Sequence, residues 1–264
     1  MNIYLRELRA NLKSLIIWSV IIILLVVIAV TKFAAYADNP EMLAILDAYP
    51  KALLDALNMH AFNLTTLNGF LGVMFLYYAL MGAIAAGLWG SGALAREERN
   101  KTIEFALALP ITRTRFLTAK ALAALTLSAL FVLITWMTTL VAIQSYQPDE
   151  SVYAFLAREM MAMFAIEVIF LAIGLLVASV SKRPKRTGAM VTGVILTLYY
   201  VSMIAGLHEK LDFLKYLSPF KYFDAAKLLH EGRVDPVYWA LTAGIVVCSL
   251  VGAYWAFHRR DIFV

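Results

Sequence analysis

Long apolar runs separated by charged segments dominate the pattern of this chain. Six runs of 17–23 residues stand out, and Glu167 is the single charged residue within them, while the other 40 charged residues lie outside. A helix of about 20 apolar residues spans the roughly 30 Å hydrocarbon core of a bilayer. The pattern therefore predicts an all-α polytopic membrane protein with six transmembrane helices. The six predicted spans are 15–31, 70–88, 121–143, 160–180, 188–206 and 238–257.

Composition agrees with this prediction and excludes other classes of protein. The chain is 62% apolar and 16% charged, whereas a soluble domain is about 45–50% apolar and about 25% charged. The runs do not alternate apolar and polar residues, as the strands of a membrane β-barrel would. No repeat or low-complexity linker divides the chain, so we predict one transmembrane domain over residues 1–264.

The distribution of Lys and Arg predicts the orientation of the spans. If both termini are inside, the inner segments hold 15 Lys and Arg in 60 residues, and the outer segments hold 8 in 85. Cytoplasmic loops are enriched in these residues, so we predict that both termini are cytoplasmic. The outer segment 207–237 carries five of the eight and weakens the contrast. Topology accounts for the basic excess, so we expect contact with membrane lipid and no nucleic-acid partner.

The first 14 residues have their own periodicity. Apolar side chains recur there at helical spacing, with charged residues elsewhere around the helix. This pattern predicts an amphipathic helix that lies in the membrane interface before the chain turns into the first span. The alternative is a basic flank that only sets the topology. The apolar positions are Tyr4, Leu5, Leu8, Leu12 and Leu15.

The start of the chain also has features of a secretory signal peptide. A basic segment, an apolar run and the small-residue sequence Ala35-Tyr36-Ala37 follow one another, as before a cleavage site. The apolar run is long for a signal peptide and five further spans follow, so we favour an uncleaved membrane anchor.

The loop between the second and third spans has the most informative sequence. A charged stretch gives way to the short apolar run 103–109, which Pro110 ends and Thr102 is suited to cap. A short helix with one apolar side and charged ends suits a groove on a cytoplasmic partner. The alternative is an interfacial loop that only follows the positive-inside rule, and the residue chemistry alone leaves both open.

This loop resembles the signature of type-2 ATP-binding-cassette (ABC) transporter permeases. That signature has acidic residues, Gly-Thr, an apolar run, Leu-Pro, a small residue with Arg, and a Lys that opens the next span. Lys101 stands where the family has Gly. The segment 257–262 is also similar to the family's closing motif, and the order of segments agrees over the whole chain. The matching loop residues are Glu97, Glu98, Thr102, Glu104, Leu109, Pro110, Thr112, Arg113 and Lys120.

The resemblance implies a function and partners. Such permeases work in pairs above two cytoplasmic ATPase subunits, and the loop forms a coupling helix that docks on the ATPase. This chain has no phosphate-binding loop, so we expect it to be a non-catalytic subunit without a bound cofactor, with ATP and Mg on the partner ATPase. We expect an exporter in a prokaryotic plasma membrane, with an identical or related second permease chain. The predicted coupling residues are Glu97, Glu98, Thr102, Ile103, Glu104, Phe105, Leu107, Pro110 and Arg113.

Glu167 is the predicted intramembrane polar site. Ionisable residues in spans face protein or a water-filled cavity, so Glu167 either contacts a cationic part of the substrate or pairs with a neighbour or an outer Lys. An ion-coupled secondary transporter or channel is the alternative function, and it predicts several polar groups near the midplane. A membrane enzyme is disfavoured because all four His lie outside the spans, and no metal site is predicted because no second His completes a zinc motif.

Overall fold

The chain folds into a bundle of long helices. The computed structural model describes residues 2–37, 39, 54, 62–100, 111–207 and 209–259, and these ranges contain helices and turns but no strand. Six of the described helices (α1–α5 and α8) are long and apolar enough to cross a membrane, which confirms the predicted all-α, six-span fold. The helices are α1 (Ile3–Phe33), α2 (Leu67–Arg99), α3 (Arg113–Ile143), α4 (Glu150–Val180), α5 (Thr187–Ala205), α6 (Pro219–Tyr222), α7 (Ala225–His230) and α8 (Pro236–Arg259).

Helices α1 to α4 extend beyond the predicted spans, because the predictions followed the apolar runs whereas capping residues determine where α2, α3 and α4 begin. Thr66 Oγ1 accepts from the Gly69 N–H at the start of α2, and Thr112 Oγ1 accepts from the Arg115 N–H at the start of α3. Asp149 caps α4 in the same way. A helix of 31 residues, such as α4, is about 46 Å long, so its ends extend past a hydrocarbon core of roughly 30 Å.

The first helix differs from the prediction. The structure has one continuous helix, α1, so the expected turn between an interfacial helix and the first span is wrong. Leu5 and Leu12 are 48% and 52% exposed, which agrees with an apolar face toward lipid, whereas Glu7 and Asn11 are 3% and 2% exposed and lie against the bundle. Next to lipid, the apolar side faces outward and polar groups that find partners lie inside.

Helices α2 and α4 form the centre of the bundle and run side by side in the same direction. Their closest approach lies at glycines. A Cβ at Gly90 would lie 2.3 Å from the Leu171 carbonyl oxygen, and a Cβ at Gly174 would lie 2.4 Å from the Gly87 carbonyl oxygen. These glycines therefore let the two backbones touch, and we call this α2–α4 interface the seam.

The segment between α5 and α8 folds back onto the bundle. Ser218 Oγ donates a 2.7 Å hydrogen bond to the Leu198 carbonyl oxygen of α5. The Phe220 ring lies 5.3 Å from the Phe170 ring and 5.5 Å from the Tyr199 ring, measured between centroids. Ser218 and Phe220 are buried, so this segment packs against the membrane-spanning helices.

Candidate functional site

The predicted coupling residues fall partly outside the described residues. The structure does not describe residues 101–110, so the short helix predicted there stays a prediction. That range contains Thr102, Ile103, Glu104, Phe105, Leu107 and Pro110. Glu97 and Glu98 lie in the last turns of α2 and Arg113 begins α3. The described structure therefore defines the two helix ends that hold the loop.

The start of α3 is attached to the end of α8 through Arg113. Its guanidinium donates to the carbonyl oxygens of Phe257 and His258 at 3.1 and 3.0 Å, and its Cζ lies 5.9 Å from the centroid of the Phe257 ring. One turn further along α3, the Thr118 and Tyr254 hydroxyls lie 2.7 Å apart. Last-turn carbonyls of a helix lack partners within the helix, so Arg113 supplies donors that α8 cannot supply itself.

The ends of α2 and α3 that hold residues 101–110 form the base of the loop. A cluster of buried charges lies at this loop base, on the side away from α8. Lys120 on α3 has no exposed surface. Its Nζ lies 2.5 Å from Glu7 Oε2 of α1 and 3.1 Å from Glu97 Oε1 of α2. Burying one ammonium is costly unless carboxylates surround it, and here one carboxylate comes from each neighbouring helix.

Two arginines and an amide extend this cluster. Arg6 Nη2 lies 2.8 Å from Glu97 Oε1, and Arg96 Nη1 lies 3.6 Å from Glu7 Oε1. Asn11 Nδ2 donates to Glu7 Oε1 at 2.9 Å, and Asn11 Oδ1 accepts from Arg96 Nη2. These contacts join α1, α2 and α3 at one end of the bundle. We call this set the ion network; its members are Arg6, Glu7, Asn11, Arg96, Glu97 and Lys120.

Most of the ion network was not predicted from the sequence. Glu97 was expected to face an ATPase and here binds Arg6 and Lys120 of its own chain. Glu98 is half-buried beside it. Glu7 was assigned to a polar face of the first helix without a partner. The spacing of four between Glu7 and Asn11 places both on one side of α1, and that signal was available.

The membrane part of the bundle buries two further carboxylates. Glu167 has no exposed surface, as predicted for an intramembrane acid, and Glu159 on the same helix has none either. Glu159 was missed because the predicted span began at residue 160. All four carboxylate oxygens lack a hydrogen-bond partner within the described residues. Of the alternatives left open by the sequence, pairing with an outer Lys is not found in that part of the chain, and the polar neighbour of Glu167 is Ser128.

The described residues contain no group of three His, Cys, Asp or Glu side chains arranged to hold a metal ion. The buried charged groups that they do contain include the ion network at one end of the bundle and the two acids within it. A network joining three helices beside a loop is suited to transmit a displacement of that loop into the membrane part.

Comparison with known families agrees with this architecture. The family model described as ABC-2 family transporter protein matches residues 1–262. A search of curated proteins finds no significant match.

Proposed function

This chain belongs to the ABC-2 family of transporter permeases, and from that premise we propose that it exports a substrate using ATP hydrolysed by separate subunits. Family membership makes it the membrane permease subunit of an ABC transporter and implies an ABC ATPase partner. In the proposed complex, two permease chains, identical or related, stand above two cytoplasmic ATPases that bind ATP and Mg. The permease itself is non-catalytic, and both of its termini are cytoplasmic.

The attachment of both ends of the loop supports this proposal. The α2 end is bonded to α1 and α3 through Glu97 and Lys120. The α3 end is bonded to α8 through Arg113. A movement imposed on residues 101–110 would therefore reach four spans without passing through a flexible link. This is the mechanical requirement for converting ATPase motion into rearrangement of a bundle.

The docking surface is proposed to be the loop itself. The apolar side chains of Ile103, Phe105 and Leu107 fill a groove on the ATPase, while Thr102 and Pro110 set the bounds of the short helix. Glu98 and Glu104 flank that helix with negative charge. Glu97 and Arg113 hold the two ends of the loop through their contacts with Lys120 and with α8.

Co-purification tests this assignment. The chain is expressed together with a candidate ABC ATPase from the same genome, and recovery of the ATPase is measured for wild type, Ile103→Asp and Leu107→Asp. A charge in an apolar docking surface lacks a partner, so we expect each variant to lose most of the ATPase. Ile103→Leu and Leu107→Met are the matched controls and should retain it. Equal ATPase recovery and equal transport for all five proteins would contradict the assignment.

One observation favours the alternative of an ion-coupled secondary transporter or channel. The seam holds two buried acids, and such acids mark ion pathways in membrane proteins. The two functions differ in their energy source. Transport that continues without the ATPase, driven by an ion gradient, would support the alternative, whereas dependence on ATP and the ATPase would support the exporter.

A further inference from the structure

The two acids on α4 lie in the same helix and face the same seam. Eight residues separate Glu159 from Glu167, which is about 12 Å along a helix. Neither has exposed surface. The bundle therefore encloses two carboxyl groups one above the other, with protein on every side.

The described groups that face these acids are hydroxyls. From α2, the Tyr78 hydroxyl faces Glu159 and is itself buried without a hydrogen-bond partner. From α3, the Ser128 hydroxyl is the polar neighbour of Glu167. Within the described ranges, α5, α7 and α8 bring no charged group to either carboxylate.

The nearby cations are engaged elsewhere. Arg158, the neighbour of Glu159 along α4, donates to the Leu228 carbonyl oxygen at 3.1 Å. Lys227 of α7 lies 3.2 Å from Asp235 Oδ2. In the part of the chain that the structure describes, neither seam acid forms an ion pair.

On the α2 side, the Glu167 carboxyl group is in close contact with Gly82. A Cβ at Gly82 of α2 would lie 2.5 Å from Glu167 Oε1 and 2.8 Å from the Met163 methyl carbon. The carboxyl group thus occupies the space that a side chain at position 82 would fill. An isolated carboxylate in this environment would be very unfavourable, whereas binding a proton removes its charge.

We propose that Glu159 and Glu167 are proton-binding sites, each a neutral carboxylic acid in the closed seam and each releasing its proton when the transport cycle opens the seam to water. In this step the O–H bond breaks, its electron pair stays on the carboxylate oxygen, and the proton passes to water. Closure of the seam reverses the step. The proposal has two halves. The protonation half, that both acids are neutral in the closed seam, concerns the permease alone. The release half, that they lose their protons when the seam opens, rests on the proposed transport function.

Infrared spectroscopy of the purified full-length permease in lipid nanodiscs tests the protonation half. We expect wild type at neutral pH to show the carbonyl-stretch band of protonated carboxylic acids. Glu159→Gln and Glu167→Gln should each remove one contribution, and the double variant should remove both. Glu150→Gln, at an exposed position on the same helix, is the matched control and should leave the band unchanged. A band unchanged in both single variants would overturn the proposal.

Isotope labelling keeps the test independent of variant folding. Glutamate carrying ¹³C in its side-chain carboxyl shifts the bands of glutamic acids in the wild-type protein. Absence of a shifted protonated-acid band would overturn the proposal even if the glutamine variants fail to fold.

The release half is tested on the complex with its ATPase. Trapping the complex with ATP and vanadate should decrease the protonated-acid band relative to the nucleotide-free complex. An unchanged band in a trapped complex would overturn proton release. Failure of the ATPase to co-purify would instead contradict the proposed function, so the two failures are distinguishable.

Discussion

The buried acids at the end of the bundle and those in the seam have the same chemistry but different partners. Glu7 and Glu97 surround Lys120 and receive further contacts from Arg6 and Arg96. The seam acids Glu159 and Glu167 lie next to hydroxyls and have no hydrogen-bond partner in the described ranges.

The two regions differ in whether charged groups stabilise the arrangement of the helices. Paired charges fix the geometry of α1, α2 and α3, because losing one partner leaves the others buried and uncompensated. Unpaired acids do not fix geometry, and they remain compatible with the bundle only while neutral. We therefore expect rigidity at the loop base and change in the seam.

Removing the central cation should break the ion network most severely. Lys120→Met leaves Glu7 and Glu97 buried without their shared ammonium, and breaking a buried pair in this way costs about 3–5 kcal/mol. We expect the free energy of unfolding, measured by titration with SDS, to fall by that amount. Lys182→Met, at an exposed position, is the control. Equal stability of the two variants would mean that the network contributes nothing.

A methyl group added to the seam should have the next largest effect. In Gly174→Ala the new Cβ would meet the Gly87 carbonyl oxygen at 2.4 Å, so α2 and α4 must separate. Overpacking of this kind costs about 1–3 kcal/mol. Gly193→Ala is the matched control, because a Cβ there has no neighbour within 4 Å in the described structure. The same SDS titration compares them, and a Gly174→Ala variant as stable as Gly193→Ala would argue against a close-packed seam.

The smallest effect is expected where a neutral acid is replaced by its isostere. Glu167→Gln keeps both shape and charge if Glu167 is protonated, so the free energy of unfolding should change by about 1 kcal/mol or less. Glu97→Gln makes the same substitution in the ion network and should be clearly more destabilising, since Lys120 loses one of its carboxylates. Similar losses of unfolding free energy in both variants would contradict the distinction between the ion network and the seam.

The membrane-spanning part of the fold could be predicted because hydropathy and charge determine which segments enter a bilayer. Each predicted run corresponds to one long helix. The ends of the helices could not be placed. The apolar run of the second span ends at Leu88, whereas α2 continues to Arg99 and its Asn100 cap.

The partners of polar residues were harder to predict than the helices. Lys120 binds Glu7 across 113 positions in the chain, and such a long-range contact leaves no local pattern in one sequence. The burial of Glu7 on α1 was not predicted either, because it depends on Lys120 of α3. Glu159 was missed because a charged residue at the edge of a span looks like a boundary.

We expect the ion network to keep α1 and α3 together as one body while the ATPase drives the cycle. The direct test places spin labels on α1 and α3 through Ala10→Cys and Arg115→Cys in a Cys248→Ser background, and measures their distance in the ATPase complex. We predict a narrow distance distribution with the same mean in the nucleotide-free and ATP–vanadate-trapped states. Adding Lys120→Met should broaden it. A mean distance that shifts on trapping in the otherwise unaltered chain, or a distribution that Lys120→Met leaves unchanged, would contradict a rigid link between α1 and α3 through the ion network.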